Sequence, residues 1–387
     1  MRIALVCDWL TTPGGAEQVL LELHRLYPDA PIYTSQYNPR KLTWFQDATV
    51  RTGWLQIFPS AFRKILGPLR QFYFSHLDLT AYDLVISVTG AEAKAVRARR
   101  HLCYCHVPTQ YYWQMYDSYL QNPGFGFLNP LVRFFFKLFV GPLRRADYRA
   151  AQRPDQFLTI STYAAAAIRR YYHRSATIVA PPVDLQRFAS HPIAKSTKSA
   201  KSTQSAAKSA KPTQSTRHGF IIACRQVTWK RVDLAISACL EAKLPLTVIG
   251  DGPEHARLVA LAAGSPLITF VPWIAPDQLA QHLHSASAFI FPSLEPFGIA
   301  AVEALAAGCP VIAYAKGGSR DFIQPGKNGL LFSSQTPAAL ARALRDFPNH
   351  RFNSRTVTAS AAPFSRDHFR QGITEAVTKL TKEAPRA

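Results

Sequence analysis

The chain of 387 residues reads as α/β, in two doubly wound parallel-sheet domains. Short apolar runs alternate with helical patterns along nearly all of it. The alternation runs once to about residue 178 and then begins afresh. At roughly 150 residues per domain, the length suits two cores rather than one.

The first series opens with residues 3–7, an apolar strand ending at Asp8. Gly14-Gly15 follow in a loop, and a helical pattern covers residues 16–27. Residues 83–87, 101–105 and 157–160 read as short buried strands. Ser161-Thr162 then supply an N-cap for a helix over 163–172. The second series begins with strand 220–224, helix 232–242 and strand 246–249. A helix around 254–263, strand 268–271, helix 277–284 and strand 288–291 continue it. Helix 298–307 and strand 311–314 follow. Strands separated by helices of this length make parallel sheets with right-handed crossovers. The expected domains are 1–178 and 179–364, with a C-terminal helix at about 365–387 packing back on the first.

Charge divides unevenly along this plan. Lys+Arg 45 against Asp+Glu 24 leaves +21, a balance that attracts phosphates of some kind. Residues 1–188 carry +10, residues 189–218 carry +6 and residues 219–387 carry +5. The middle segment repeats Lys-Ser-Thr and Lys-Ser-Ala with almost nothing to bury, so a basic, solvated insertion is expected at about 195–217. The start lacks the apolar core of a signal peptide, and no window holds about 18 uninterrupted apolar residues. Six scattered cysteines, with Cys103 and Cys105 the one close pair, read as reduced packing residues of a cytoplasmic protein.

Two motifs carry chemistry. In Glu295-Pro296-Phe297-Gly298-Ile299, followed by Glu303, two carboxylates eight positions apart bracket a tight loop and the first turns of a helix. Helix N-terminal amides near Gly298 and Ile299 suit an anion, and a carboxylate beside them suits two vicinal hydroxyls. A lone Glu in so apolar a helix is not a plain surface residue. Arg225 and Lys230, just after the first strand of the second series, bring two cations to one strand end, where a diphosphate leaving group would be neutralised. A solvated basic loop is the plainer reading of that second segment. There is no Asp-x-Asp and no Walker pattern, and Gly250-Asp251-Gly252 lacks the third glycine of a dinucleotide loop.

Together these motifs resemble the retaining glycosyltransferases of the GT-B fold, family 4, in particular its mannosyltransferase-like members. The resemblance covers essentially the whole chain. It implies two Rossmann-like doubly wound domains facing a central cleft, with no cofactor and no metal. It implies that Glu303 holds the ribose hydroxyls of a nucleotide-sugar donor and that Glu295 lies near the reacting centre. Arg225 and Lys230 would grip the diphosphate, and the backbone at Phe297, Gly298 and Ile299 would meet sugar and phosphate. Gly14 and Gly15 match the family's N-domain glycine loop, where a bare backbone approaches donor or acceptor. His106, in Cys105-His106-Val107-Pro108, matches a His-x-Pro segment placed near the donor sugar, although a lone His after a strand is equally a packing residue. The aromatics Tyr111, Tyr112, Trp113, Tyr116 and Tyr119 either stack on sugars or pack. The catalytic set is thus His106, Glu295, Arg225 and Lys230. The acceptor is a glycan or lipid-linked sugar in cell-surface polysaccharide or glycolipid synthesis, and the favoured donor is GDP-mannose-like. Pro272 and Trp273, where relatives often have Gly, leave the nucleobase open.

Two stretches, 54–79 and 128–145, mix large apolar residues with Arg and Lys. They read either as core helices or as interfacial ones that touch an anionic membrane, on the inner face of the plasma membrane. Two alternatives stand beside transfer. A nucleotide-sugar epimerase would use the same fold. A nucleic-acid or polyanion binder would explain the charge, but no base-reading module is visible, so no nucleic-acid partner is expected.

Overall fold

The computed structural model describes residues 1–60, 62, 65–121, 123, 126–189 and 217–382. The expected insertion at 195–217 lies outside these except for Arg217. That side chain reaches the carbonyls of Ala286 and Ala307 and the Ser354 hydroxyl, so the end of the insertion is packed. The chain forms two compact units, Met1–Pro182 with Arg366–Ala387, and Val183–Ser365.

The first unit holds seven parallel strands: β1 (Ile3–Cys7), β2 (Ile32–Thr34), β3 (Val50–Thr52), β4 (Leu84–Thr89), β5 (His101–Cys105), β6 (Gln156–Thr159) and β7 (Thr177–Ile178). Their order is β3-β2-β1-β4-β5-β6-β7. β4 and β5 are buried at every position, as strands covered on both faces must be, which is why they read as unbroken apolar runs. β2, β3 and β7 are only two or three residues long, too short to leave a periodic signal. Ser161 caps the helix Thr162–Tyr172 by accepting from the Ala164 amide at 3.1 Å. The helix Arg366–Lys382 returns to this unit, setting Phe369 edge-on to Tyr104 at 5.7 Å and Arg370 against the buried Glu22.

The second unit repeats the plan with six parallel strands: β8 (Phe220–Ala223), β9 (Leu246–Ile249), β10 (Ile268–Val271), β11 (Ala288–Phe291), β12 (Val311–Tyr314) and β13 (Gly329–Phe332). Their order is β10-β9-β8-β11-β12-β13. Its core gathers Ile222, Leu234, Val248, Ile290, Ile312 and Leu340 from sheet and helices. In both sheets the winding reverses once, between β1 and β4 and between β8 and β11. At such a reversal the loops leaving adjacent strands diverge, and the crevice at the carboxyl ends is where ligands sit in this class of sheet.

One polar hub fastens the long helix Asn129–Ala150 to the first unit. Asp147, fully buried, pairs with Lys94 at 2.6 Å and accepts from Thr109, Trp113 and Tyr172 at 2.7, 2.7 and 2.8 Å. The pair is tolerable only because every lone pair is met. Asp147→Ala strands the Lys94 ammonium in the core, and denaturant unfolding should register a loss of about 3–5 kcal/mol. Wild-type stability in that variant would contradict the hub.

Candidate active site

The site in the second unit is built on the loops that leave β8 and β11. After β8 the chain turns tightly, with the Val227 and Lys230 amides bonding to the Arg225 and Val227 carbonyls at 3.0 Å each. A short 3-10 turn, Thr228–Lys230, then swings the Lys230 side chain back over the strand ends. There its ammonium donates to Glu295 Oε2 at 2.6 Å, and the Ser293 hydroxyl donates to Glu295 Oε1 at 2.5 Å. Both members of the pair are partly exposed, at 26% and 19%. Arg225 leaves the same loop exposed and forms no salt bridge among the described residues. Gln226 is buried, donating to the Gly250 carbonyl at 2.7 Å and meeting His255 Nδ1 at 2.8 Å. A Cβ at Gly250 would strike the Cys224 carbonyl, and one at Gly252 the Gln226 carbonyl. The glycines of Gly250-Asp251-Gly252 therefore allow two backbones to touch, a packing role that needs no bound dinucleotide.

The loop Glu295–Gly298 is held from beneath. Phe297 is buried against Phe322 and Phe364, with ring centroids 5.6 and 5.7 Å away, so the ring is a core residue and only the backbone faces the loop's surroundings. Gly298 sits at φ 151°, and a Cβ there would meet the Phe291 ring at 2.6 Å. The following helix, Ile299–Ala306, starts from it. Sequence reasoning missed the brace Lys316-Gly317-Gly318 after β12. The Gly318 amide donates to the Glu295 carbonyl at 2.8 Å, and a Cβ on Gly317 or Gly318 would strike the Glu295 or Pro296 carbonyl. Its only sequence signal was a Gly-Gly pair at a strand end.

Glu303 lies one turn into that helix, half-buried, and its carboxylate has no hydrogen bond or ion pair among the described residues. Burial pushes its carboxyl up to about 7, with Arg187 pulling down and Asp184 pushing up. Both neighbours belong to the stretch around the short helix Leu185–Ala189, which packs against Ile299–Ala306. The structure thus joins Lys230 to Glu295, keeps Arg225 in the same loop, and leaves Glu303 free of both.

The remaining candidates lie in the first unit. Gly14 caps the helix Gly15–Leu26, and a Cβ on it would meet the Glu17 carboxylate at 2.8 Å. His106 follows β5, edge-on to Tyr104 at 5.4 Å, and its Nε2 is buried with no partner among the described residues. Burial pushes the imidazole down to about 4, so it is neutral at pH 7. It borders a cavity of about 330 Å³ at the carboxyl ends of β1, β4 and β5, with Asp8, Glu17, Gly90, Gln110 and Tyr111 among its walls. Asp8 is fully engaged there, accepting from Thr89 at 2.9 and 3.0 Å, Gly90 N at 2.9 Å and Ala93 N at 2.7 Å. Of the aromatic cluster, Tyr111 and Tyr119 line this cavity. Tyr112 is core, and Trp113 stacks on Tyr171 at 5.0 Å. No group of three or more His, Cys, Asp or Glu that could hold a metal ion occurs among the described residues.

Residues 204–363 match the family model described as glycosyl transferases group 1. A segment of 100 residues is 40% identical to D-inositol 3-phosphate glycosyltransferase of Streptomyces coelicolor, covering 25% of this chain and 22% of that protein. The enzyme of the same name from Geodermatophilus obscurus is 38% identical over 121 residues, 29% of this chain and 27% of its own. The matched segment therefore spans about a quarter of those relatives' length. Among solved structures, HepE of Anabaena in complex with UDP and glucose superposes with a TM-score of 0.67 at 19% identity, covering 98% of this chain and 99% of its own. Sucrose-phosphate synthase from Thermosynechococcus elongatus gives 0.69 at 16% identity, covering 99% and 100%. Residues 204–363 are therefore similar to the glycosyl transferases group 1 family, and the fold of the chain is GT-B.

Proposed function

We propose that the protein is a retaining glycosyltransferase that moves a hexose from a nucleoside-diphosphate sugar to a glycan or lipid-linked acceptor. The observation that carries the reading is the junction at β8 and β11, where Lys230 pairs with Glu295, Arg225 leaves the same loop as Lys230, and Glu303 lies on the helix that follows the Glu295 loop with no hydrogen bond or ion pair among the described residues. A diphosphate reaching Lys230 exchanges one anionic partner for a stronger one. Arg225 adds a second, uncommitted cation. As the bond from the anomeric carbon to the diphosphate oxygen breaks, these two charges stabilise the negative charge left on phosphate. The new bond forms from the acceptor oxygen to the same carbon face, and the departing phosphate oxygen takes the acceptor proton. Arg225 and Lys230 here supply the positive charge of the site without a metal ion. Glu303 accepts from the ribose diol. A neutral His106 contributes a hydrogen bond and not a charge.

The neighbour whose structure holds UDP-glucose makes that sugar nucleotide a second donor to test beside GDP-mannose, and the relatives named for inositol 3-phosphate make that compound an acceptor to test. Only the N-terminal Gly-Gly-Ala-Glu and Cys-His-Val-Pro segments speak for the mannose donor. Synthesis of cell-surface polysaccharide or glycolipid is the setting we assign.

With whichever sugar nucleotide is turned over, Arg225→Ala and Lys230→Ala should each lower turnover by roughly 10²–10³-fold. Glu303→Ala should weaken nucleotide binding by roughly 10–100-fold, an effect absent with a 2′,3′-dideoxy nucleotide. Isothermal titration and product release measure these, and near-wild-type values would sink the assignment.

Glu303 also sets a pH dependence. Its carboxyl is raised from an unfolded value near 4.5 to about 7. Between these values the native state holds the proton that the unfolded state has lost, so this group's contribution to stability falls as pH rises from 4.5 through 7. The ribose diol donates to the carboxylate, so affinity for a sugar nucleotide should climb as pH rises through about 7. Glu303→Gln should flatten both profiles in titrations at pH 5.5 to 8.5, set roughly 1.5 units either side of that value.

A further inference from the structure

We propose that the outward face of the helix Asn129–Ala150 is a docking surface for an anionic lipid bilayer, with an arginine-lined hollow at its C-terminal end that takes lipid phosphate groups. Leu131, Phe134, Phe135, Leu138 and Phe139 recur on this helix at spacings of three and four, and all are exposed, Phe134 at 63%. The helix Gly67–His76 packs beside it and adds exposed Leu69 and Phe72. A soluble surface seldom gathers so many large apolar side chains in one patch without something that covers it.

Charge says what covers it. Residues 126–150 carry Arg133, Lys137, Arg144, Arg145 and Arg149 against a single acid, Asp147, which is buried and paired inward with Lys94. Arg133 and Lys137 stand exposed among the phenylalanines, where long side chains can bury their stems and lift their charges to headgroup level. Beyond Pro142 lies a hollow of about 440 Å³ whose walls include Arg144, Arg145, Arg149, Arg170 and His173 and contain no carboxylate. An apolar stripe that runs into an acid-free basic hollow complements acyl chains beside anionic headgroups, and a second copy of so basic a face would repel it.

The segment Gly126–Ala150 is long and apolar enough by composition to cross a bilayer. The Asp147 hub argues against a span. Lys94, Thr109, Trp113 and Tyr172 all hold that carboxylate inside the unit, so the C-terminal third of the helix stays with its own sheet. The helix therefore lies in the interface, and the surface is independent of the proposed nucleotide site.

The test sediments the full chain with vesicles of phosphatidylcholine alone or of phosphatidylcholine with phosphatidylglycerol. The chain should pellet with the second and not the first, and salt or alkaline carbonate should release it. Phe134→Ser with Phe139→Ser, and separately Arg145→Glu with Arg149→Glu, should each cut partitioning at least tenfold, since one basic residue near such a surface is worth roughly a fivefold change. Both pairs should keep wild-type thermal unfolding and nucleotide-induced stabilisation, which separates loss of docking from loss of the donor site. Should either pair unfold, Phe135→Ser with Leu138→Ser takes its place. The proposal is overturned if the wild type ignores anionic vesicles or if the folded variants pellet unchanged. Resistance to carbonate would overturn it in favour of a spanning helix. A dimer that the phenylalanine variants dissolve, without lipid binding, would assign the face to a second copy.

Discussion

Lys230 and Glu295 meet at 2.6 Å because two parallel strands that are neighbours in space are remote in sequence. β8 and β11 flank the reversal of the second sheet, so their outgoing loops have no crossover helix between them. A cation from one loop and an anion from the other then close the crevice floor. The pair is partly exposed, so its net worth to stability is small. Its importance is positional. It holds an ammonium at the strand ends while leaving it open to exchange, and the rest of the site is arranged around that ammonium.

The scaffolding under the pair is made of close backbone approaches. Gly250 and Gly252 bring the end of β9 against Cys224 and Gln226, and Gly317 and Gly318 bring the end of β12 against Glu295 and Pro296. Gly298 adds a left-handed turn over the Phe291 ring, and Phe297 nails the loop to the core. Four strand ends are thus locked by contacts that a side chain would forbid. Preorganisation of this kind would keep the proposed diphosphate site from reorganising at the moment of reaction.

The two units handle buried charge differently, and the difference separates scaffold from site. In the first unit Asp8 and Asp147 are saturated by donors, and Arg70 closes on Glu92 at 2.9 Å. Such groups hold the fold and have little capacity left for a ligand. Glu303 in the second unit has no hydrogen bond or ion pair among the described residues, and His106 Nε2 in the first is buried without a partner among them, at some cost. Unmet polar capacity, more than charge itself, marks where a ligand belongs.

The sequence by itself determined the class of fold and singled out the residues from Glu295 to Glu303. Apolar runs such as those of β4, β5 and β11 are short and alternate with helical patterns, which reads as strands buried on both faces. Glu303 stands out because a lone charge in an apolar helix is expensive, Glu295 by its spacing from Glu303, and Lys230 with Arg225 as two cations at one strand end. It did not show β2, β3, β7 or the Lys316-Gly317-Gly318 brace, because two- and three-residue strands have no period and a glycine's neighbour across space leaves no local mark. Nor did it decide the orientation of Phe134, Phe135 and Phe139. A helix apolar nearly all round is equally a core helix or an exposed one, and only its contacts tell which. The tertiary structure decided it through Asp147, whose four partners turn one face inward and leave the phenylalanines outside.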